Sequence, residues 1–308
     1  MAQRSIETIV IAGGTHGNEL TGVNLIKHWQ ANNKHSQYSE HSQYSAINIE
    51  LLTANPAAIS ANQRYLDKDL NRCFQLAELN DSSANNLEQN LAKTINQQLG
   101  PKGDARVDFI IDLHTSTANM QTNIVLIKMD EFHLKLAAYL KQVLADVVVT
   151  SESRLMDDHH FLCSIADKGI VVEVGPIPQG AIEYPAYQKT EAAVEAAIEF
   201  ARLYNENNIP ELDDRLQVMS YFNKIYFPTN DKGDICAAVH PSLIHRDYSL
   251  IKSGMPIFKT FDGNDIEYQG ENAHIAFVNE AAYYDQKIAM CLCKPIDYSV
   301  NTLKPLSD

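Results

Sequence analysis

Short apolar runs alternate with helix-like segments over the first 200 residues of the chain. The helical spacing of apolar positions predicts helices over 21–30, about 131–145 and about 188–204. The runs are rich in β-branched residues and end at glycine, proline or polar residues, which is typical of buried strands. They lie in "ETIVIAGG", in "AINIELLTANP" (46–56) and at 107–114, 123–129, 146–152 and 169–176.

The pattern changes near Pro210, after which short alternating segments and turn signals such as "FDGND" replace the helix patterns. The sequence therefore predicts an α/β domain over 1–210, with helices packed on a mostly parallel or mixed sheet. A smaller β-rich domain is predicted over 211–308. Three intervening segments lack either pattern: 58–74 looks irregular, 76–103 predicts one polar helix between loops, and the repeated "HSQYS" at 35–39 and 41–45 predicts a solvated loop.

Unusual polar side chains stand at the ends of three predicted strands. His16 and Glu19 follow the first strand, His114 ends "DFIIDLH", and Glu173 lies within "VVEVGP". Two histidines and a carboxylate form the ligand set of a catalytic zinc site, and burial would make Glu173 a useful base. The residues alone leave alternatives open. His16 could be an ordinary loop histidine, Glu19 an acid that starts a helix, and Glu173 a buried acid paired with an arginine.

A basic segment, "QRYLDKDLNRCF", contributes Arg64, Asn71 and Arg72. An arginine beside zinc can hold a developing oxyanion, and a second arginine can bind a carboxylate at two points. A solvated basic loop is the alternative for this segment.

Composition narrows the class of protein further. The chain has 308 residues and a net charge of −14, which argues against nucleic acid as a partner. No apolar run approaches the ~20 residues of a membrane span, and no signal-peptide pattern opens the chain. Five cysteines without a C-x-x-C pair fit reduced thiols. We therefore expect a cytoplasmic protein that does not contact membranes.

Six motifs in order resemble the aspartoacylase and succinylglutamate desuccinylase family, which is related to the zinc carboxypeptidases. They are "GGTHGNELTG", "NPAAI", "RYLDKDLNRCF", "IIDLHTSTANM", "VVEVGPIPQG" and "VNEAAYYDQK". The resemblance implies a carboxypeptidase-like α/β domain, a C-terminal domain that narrows the entrance, and a homo-oligomer. It also implies roles for individual residues: His16, Glu19 and His114 bind one Zn²⁺, Arg64 steadies the carbonyl oxygen, Asn71, Arg72 and Tyr283 bind substrate, and Glu173 is the general acid/base.

The chain departs from the family pattern at one place. Aspartoacylases carry a Tyr-x-x-x-Arg element before the catalytic glutamate, and this chain has His159 and Cys163 at those positions. A cysteine cannot make the two-point contact of arginine with a carboxylate. Arg154, His159, His160 and Lys168 are the nearby candidates to replace it, and His159 is taken as a predicted substrate contact.

The expected function is zinc-dependent hydrolysis of a small anionic N-acyl amino acid, with N-acetyl-L-aspartate as the leading substrate. The alternatives are an N-acetyl aromatic amino acid, N-succinylglutamate, or a binding protein that keeps the metal site without catalysis.

Overall fold

The computed structural model describes residues 5–40, 47–152 and 158–306. Within these ranges the chain forms seven α-helices and fourteen strands. The strands are β1 (Thr8–Gly13), β2 (Asn48–Thr53), β3 (Phe109–Thr115), β4 (Gln121–Leu126), β5 (Val147–Ser151), β6 (Lys168–Gly175), β7 (Arg215–Tyr226), β8 (Ala237–Val239), β9 (Leu250–Ile251), β10 (Pro256–Thr260), β11 (Asp265–Glu267), β12 (Ala273–Ala276), β13 (Ile288–Ser299) and β14 (Lys304–Pro305). The helices are α1 (Leu20–Ala31), α2 (Lys34–Glu40), α3 (Pro56–Ala61), α4 (Leu76–Asn80), α5 (Leu87–Leu99), α6 (Glu131–Val143) and α7 (Tyr184–Asn205), and short 3-10 helices occupy Leu70–Arg72, Leu162–Ile165, Pro241–Leu243 and Ala281–Tyr283.

One large mixed sheet runs through the described part of the chain. Its strand order is β2-β1-β3-β6-β4-β5-β7-β13-β12-β9, and β14 pairs with β13. The pairs from β2 to β6 are parallel, β4 is antiparallel to β6, and β5 pairs in parallel with both β4 and β7. The predicted α/β class with a mixed sheet, flanking helices and a β-rich C-terminal part is confirmed.

Alternate residues of each inner strand face opposite layers of helices. Ile9 and Ile11 of β1 belong to the apolar cluster that includes residues of α1, α6 and α7. Val10 and Ala12 of the same strand belong to the cluster that includes residues of α5. Strands buried on both faces explain the continuous apolar runs in the sequence.

The three segments without a clear pattern contain more helix than the sequence indicated. Pro56 opens α3, where the Asn55 side chain accepts a hydrogen bond from the amide of Ala58 and caps the helix. The 76–103 segment contains two helices, α4 and α5, rather than one. The first "HSQYS" lies within α2, so the prediction of a loop is wrong there. The second copy, at 41–45, falls outside the described residues.

The C-terminal part continues the large sheet instead of standing apart from it. Strand β7 pairs with β5 of the α/β part and with β13 of the β-rich part. Strands β8, β10 and β11 form a separate three-stranded sheet. The boundary at residue 210 stays a prediction. Across the described ranges, no helix combines the length and apolar character needed to cross a bilayer.

Phe132 provides a test of the helix layer. Its ring centroid lies 5.2 Å from that of Phe109 and 5.0 Å from that of Tyr204, and its side chain is buried. We expect Phe132→Ala to lower the free energy of unfolding by about 3–5 kcal/mol, because it leaves a cavity against β3. Phe261→Ala is the matched control, since Phe261 is 75% exposed. Equal denaturation midpoints for the two variants would contradict this packing.

Candidate active site

Three parallel strands bring the polar side chains to one edge of the sheet. In the parallel pair β1–β3, Gly13 lies opposite Leu113, so the loop after β1 meets the end of β3. In the parallel pair β3–β6, His114 lies directly opposite Glu173. The carboxyl ends of parallel strands share an edge, which is where α/β folds build their sites.

The glycine-rich loop after β1 is held close to the chain beneath it. A Cβ at Gly17 would lie 2.1 Å from the carbonyl carbon of Ala58, so only glycine fits there. The Gly17 amide donates to the carbonyl of Arg64 at 3.1 Å. These contacts fix His16 and Glu19, which the same loop carries.

His16, Glu19 and His114 form a buried cluster with the donor set of a metal site. Their nearest ligand atoms lie within 4.8 Å of one another. Nδ1 of His16 is 2.6 Å from Glu19 Oε1, and Nδ1 of His114 is 2.8 Å from Glu19 Oε2. The two Nδ1 atoms are 3.0 Å apart.

A carboxylate stands behind each imidazole. His16 Nε2 is 3.0 Å from Asp69 Oδ1, and His114 Nε2 is 3.0 Å from Asp112 Oδ2. Donation from Nε2 to these carboxylates leaves a lone pair on each Nδ1, directed at the other ring and at Glu19. Carboxylates in this position orient histidines that bind metals.

The charges around this cluster favour a cation. Burial alone would lower the pKa of His114, but Asp112 and Glu19 outweigh it and raise that pKa well above its usual value. Burial would raise the pKa of Glu19, yet His16 and His114 hold it well below its usual range. The two imidazoles and the Glu19 carboxylate can share either a proton or a metal ion. Among metals, two imidazoles with one carboxylate suit Zn²⁺.

Arg64 lies against the acidic side of the cluster. Its Nη1 donates to Glu19 Oε1 at 3.1 Å and its Nη2 donates to Asp69 Oδ2 at 3.0 Å. Burial would lower the pKa of Arg64, but Asp69 and Glu19 raise it, so the guanidinium stays charged. A positive group is therefore fixed beside the ligand residues.

Asn71 and Arg72 come from the 3-10 helix that follows. The Asn71 side chain donates through Nδ2 to Asp112 Oδ2 at 3.2 Å and accepts from the Leu162 amide at 2.8 Å. Arg72 donates through Nη1 to the Asn71 carbonyl at 2.8 Å, and its guanidinium carbon lies 5.8 Å from the Phe161 ring centroid. Within the described residues, the other Arg72 nitrogens have no hydrogen-bond partner, so they are available to a ligand.

Two adjoining spaces meet beside the cluster. We call the first the inner pocket, lined by His16, Arg64, Asn71, Arg72, His114, Thr115, Val125, Glu152, Phe161, Val171, Glu173, Phe277, Glu280, Ala282 and Tyr283. The second, the outer cavity, is lined by Arg72, Glu152, His160, Tyr221, Phe222, Asn223, Lys224, Tyr226, Phe277, Tyr283, Gln286 and Cys291. Seven of the nine residues predicted from the sequence therefore line the inner pocket, and an eighth, Glu19, contacts His16 and His114 in the cluster beside it.

Glu173 and Tyr283 both line the inner pocket. The pKa of Glu173 is raised to about 8, chiefly by burial and also by Glu19 and Glu280, while His114 and Arg64 oppose the rise. Burial also raises the pKa of Tyr283 well above its usual value, so its phenol stays protonated. A carboxyl that exchanges protons near neutral pH is suited to acid–base catalysis.

The ninth predicted residue, His159, lies elsewhere. It lines a separate cavity with Lys102 and Lys168, and its substrate contact stays a prediction without support from the inner pocket. His160 lines the outer cavity, where burial and the charge of Arg72 lower its pKa to about 3 and leave it neutral. Arg154 lies outside the described residues. Cys163 is fully buried in the apolar cluster of α5.

Glu280 is a functional-site residue that the sequence reasoning missed. Its buried carboxylate accepts hydrogen bonds from the Ser116 and Thr117 hydroxyls and from the Ala118 amide, just after His114. It also accepts from the Ala282 amide at 3.1 Å, capping the turn that carries Tyr283. It lies three residues before Tyr283 in "VNEAAYY", and that spacing from a pocket residue was the available signal.

Comparisons with known proteins agree with this geometry. The family model for the succinylglutamate desuccinylase/aspartoacylase catalytic domain matches residues 5–201, and the AstE/AspA barrel-sandwich hybrid domain matches residues 214–295. The chain therefore belongs to the succinylglutamate desuccinylase/aspartoacylase family, a family of N-acyl amino acid deacylases.

Individual relatives cover nearly the whole chain. A "Probable aspartoacylase" of Trichodesmium erythraeum is 38% identical, over 94% of this chain and 98% of that protein. An "N-acyl-aromatic-L-amino acid amidohydrolase (carboxylate-forming)" of Xenopus tropicalis is 35% identical, over 97% and 96% of the two chains. The crystal structure of murine aminoacylase 3 is similar with a TM-score of 0.88, 30% identity and full coverage of both chains.

The contacts of Glu280 lead to a stability prediction. We expect Glu280→Ala to lower the free energy of unfolding by about 2–4 kcal/mol, because several buried donors lose a charged acceptor. Thermal unfolding should show the loss, whereas Glu267→Ala, at an exposed position on β11, should melt like the parent. A parental melting temperature for Glu280→Ala would mean that these contacts do not join the two parts.

Proposed function

We propose that the protein is a zinc-dependent amidohydrolase that cleaves N-acyl L-amino acids into a carboxylic acid and a free amino acid. The observation that carries this proposal is the inner pocket, which gathers a two-histidine, one-glutamate donor set, a half-buried glutamate and two arginines. Family membership supports hydrolysis of this class of amide bond.

His16, Glu19 and His114 would hold the zinc ion. When bound, zinc polarises an acyl carbonyl and makes water more acidic. Glu173, beside His114 on the neighbouring strand, accepts a proton from water and later delivers it to the leaving amine. Arg64 supplies the fixed positive charge that stabilises the oxygen of the tetrahedral intermediate.

Arg72 is the group best placed to bind the substrate's α-carboxylate. Its free guanidinium nitrogens face the space shared by the inner pocket and the outer cavity. Arg64 is already paired with Glu19 and Asp69, so it is less available for this role. An arginine presents two parallel donors to a carboxylate, which fixes the orientation of the substrate.

The lining favours an uncharged aromatic side chain in the amino-acid part of the substrate. Phe161, Phe277 and Tyr283 line the inner pocket, and Tyr221 and Phe222 extend the aromatic surface into the outer cavity. Among the described residues, Arg64 and Arg72 are the arginine or lysine side chains that line the inner pocket, and Lys224 lines the outer cavity, so the inner pocket itself has no further arginine or lysine for the side-chain carboxylate of N-acetyl-L-aspartate. The name of the Xenopus relative is consistent with this preference.

N-acetyl-L-aspartate, favoured by the sequence, stays the second candidate because the 38% identical relative is named a probable aspartoacylase. A cytoplasmic location and a homo-oligomer also remain predictions.

Substrate preference and metal dependence can be tested together. We expect the zinc-loaded protein to release amine from N-acetyl-L-tyrosine with a higher kcat/KM than from N-acetyl-L-aspartate or N-succinyl-L-glutamate. Treatment with a chelator should abolish release, and added Zn²⁺ should restore it. Turnover that persists in chelator would contradict the metal assignment. A higher kcat/KM for N-acetyl-L-aspartate would contradict the proposed preference for an aromatic side chain.

Glu173→Gln tests the base. Because the amide cannot accept the proton from water, we expect kcat to fall by a factor of about 10² to 10⁴. Zinc content, measured by elemental analysis, should stay near one per chain, since Glu173 is not in the ligand set. Glu267→Gln serves as the exposed control. Near-parental turnover by Glu173→Gln would remove this residue from the mechanism.

A further inference from the structure

Glu152 occupies the boundary between the inner pocket and the outer cavity. It follows Ser151, the last residue of β5, and its amide donates to the Leu126 carbonyl at 3.2 Å. It lines both spaces, as do Arg72, Phe277 and Tyr283. A substrate held by Arg72 would therefore share both spaces with the Glu152 side chain.

Among the described residues, no side chain forms an ion pair or a hydrogen bond with the carboxylate of Glu152. The other acids of the site differ, since Glu19 and Asp69 are paired with Arg64, and Glu280 accepts several hydrogen bonds. A carboxylate without a partner stays available to attract or repel a ligand.

Burial and two nearby cations act in opposite directions on Glu152. Burial raises the pKa of its carboxyl group, whereas Arg72 and Lys224, which line the outer cavity with it, lower that pKa. Three of the residues around it, Phe277, Tyr221 and Tyr283, are aromatic. A second carboxylate entering this space would add like-charge repulsion to the cost of burial.

We propose that Glu152 is a specificity-determining residue that excludes acidic side chains from the amino-acid part of the substrate. This inference rests on the proposed deacylation and deepens it. Selectivity then arises from repulsion at Glu152 together with the aromatic walls, instead of from the presence or absence of a cation at position 163. Cys163 itself is buried and does not line either space.

The test compares two N-acyl amino acids of nearly equal size that differ in charge. For the zinc-loaded protein, kcat/KM is measured with N-acetyl-L-aspartate and N-acetyl-L-asparagine. In Glu152→Gln, which keeps the side-chain shape, we expect the aspartate-to-asparagine ratio of kcat/KM to rise at least tenfold. Glu152→Lys should raise it further, and Glu267→Gln, an exposed control, should leave it unchanged. An unchanged ratio in both Glu152 variants would overturn the proposal.

A binding measurement separates this inference from the proposed reaction. Calorimetry gives the Kd of free L-aspartate and L-asparagine for the zinc-loaded parent and Glu152→Gln. We expect the substitution to strengthen aspartate binding at least tenfold and to leave asparagine binding nearly unchanged. If no N-acyl amino acid is hydrolysed but this shift appears, the proposed reaction fails and the role of Glu152 stands. If turnover is normal and neither ratio shifts, the role of Glu152 fails alone.

Discussion

The site depends on one constraint: the Nδ1 atoms of two histidines and one carboxylate are buried together within hydrogen-bond distance of one another. The Nδ1 atoms of His16 and His114 face each other at 3.0 Å, with the Glu19 carboxylate against both. Buried polar atoms without donors are costly, and a divalent cation removes that cost at a single point. Parallel pairing of β1, β3 and β6 creates the arrangement, because their carboxyl ends meet at one edge of the sheet.

The surrounding network serves this cluster. Asp69 and Asp112 hold the outer nitrogens of the two histidines, Arg64 neutralises part of the acidic charge, and Asn71 ties Asp112 to the segment after residue 158. The C-terminal part completes the site in two ways. Strand β7 attaches it to the large sheet, and Glu280 joins the turn bearing Tyr283 to the loop after β3. The substrate space is thus enclosed by both parts of the chain.

The sequence predicted which polar residues lie together at the sheet edge better than it predicted the rest of the pocket. Short valine- and isoleucine-rich runs with terminal His114 and Glu173 identified buried strands and their functional ends, because strand burial and sheet-edge chemistry leave local signals. The contacts of His159 and Cys163 depend on which way a loop packs, and spacing does not encode that. Cys163 packs in the apolar cluster that includes residues of α5, and His159 lines the separate cavity that also contains Lys102 and Lys168. Glu152 lies in none of the six motifs, and Glu280 lies in "VNEAAYYDQK" without a pattern that distinguishes it from its neighbours; both gain their position from long-range packing.

The most direct test of the central claim is anomalous X-ray diffraction from crystals grown with Zn²⁺, recorded on both sides of the zinc absorption edge. The account predicts one strong peak per chain, bonded to His16 Nδ1, His114 Nδ1 and the Glu19 carboxylate at about 2.0–2.2 Å. A strong peak elsewhere with none at this cluster would contradict it. So would crystals grown with Zn²⁺ in which His16, Glu19 and His114 contact one another directly with no ion between them.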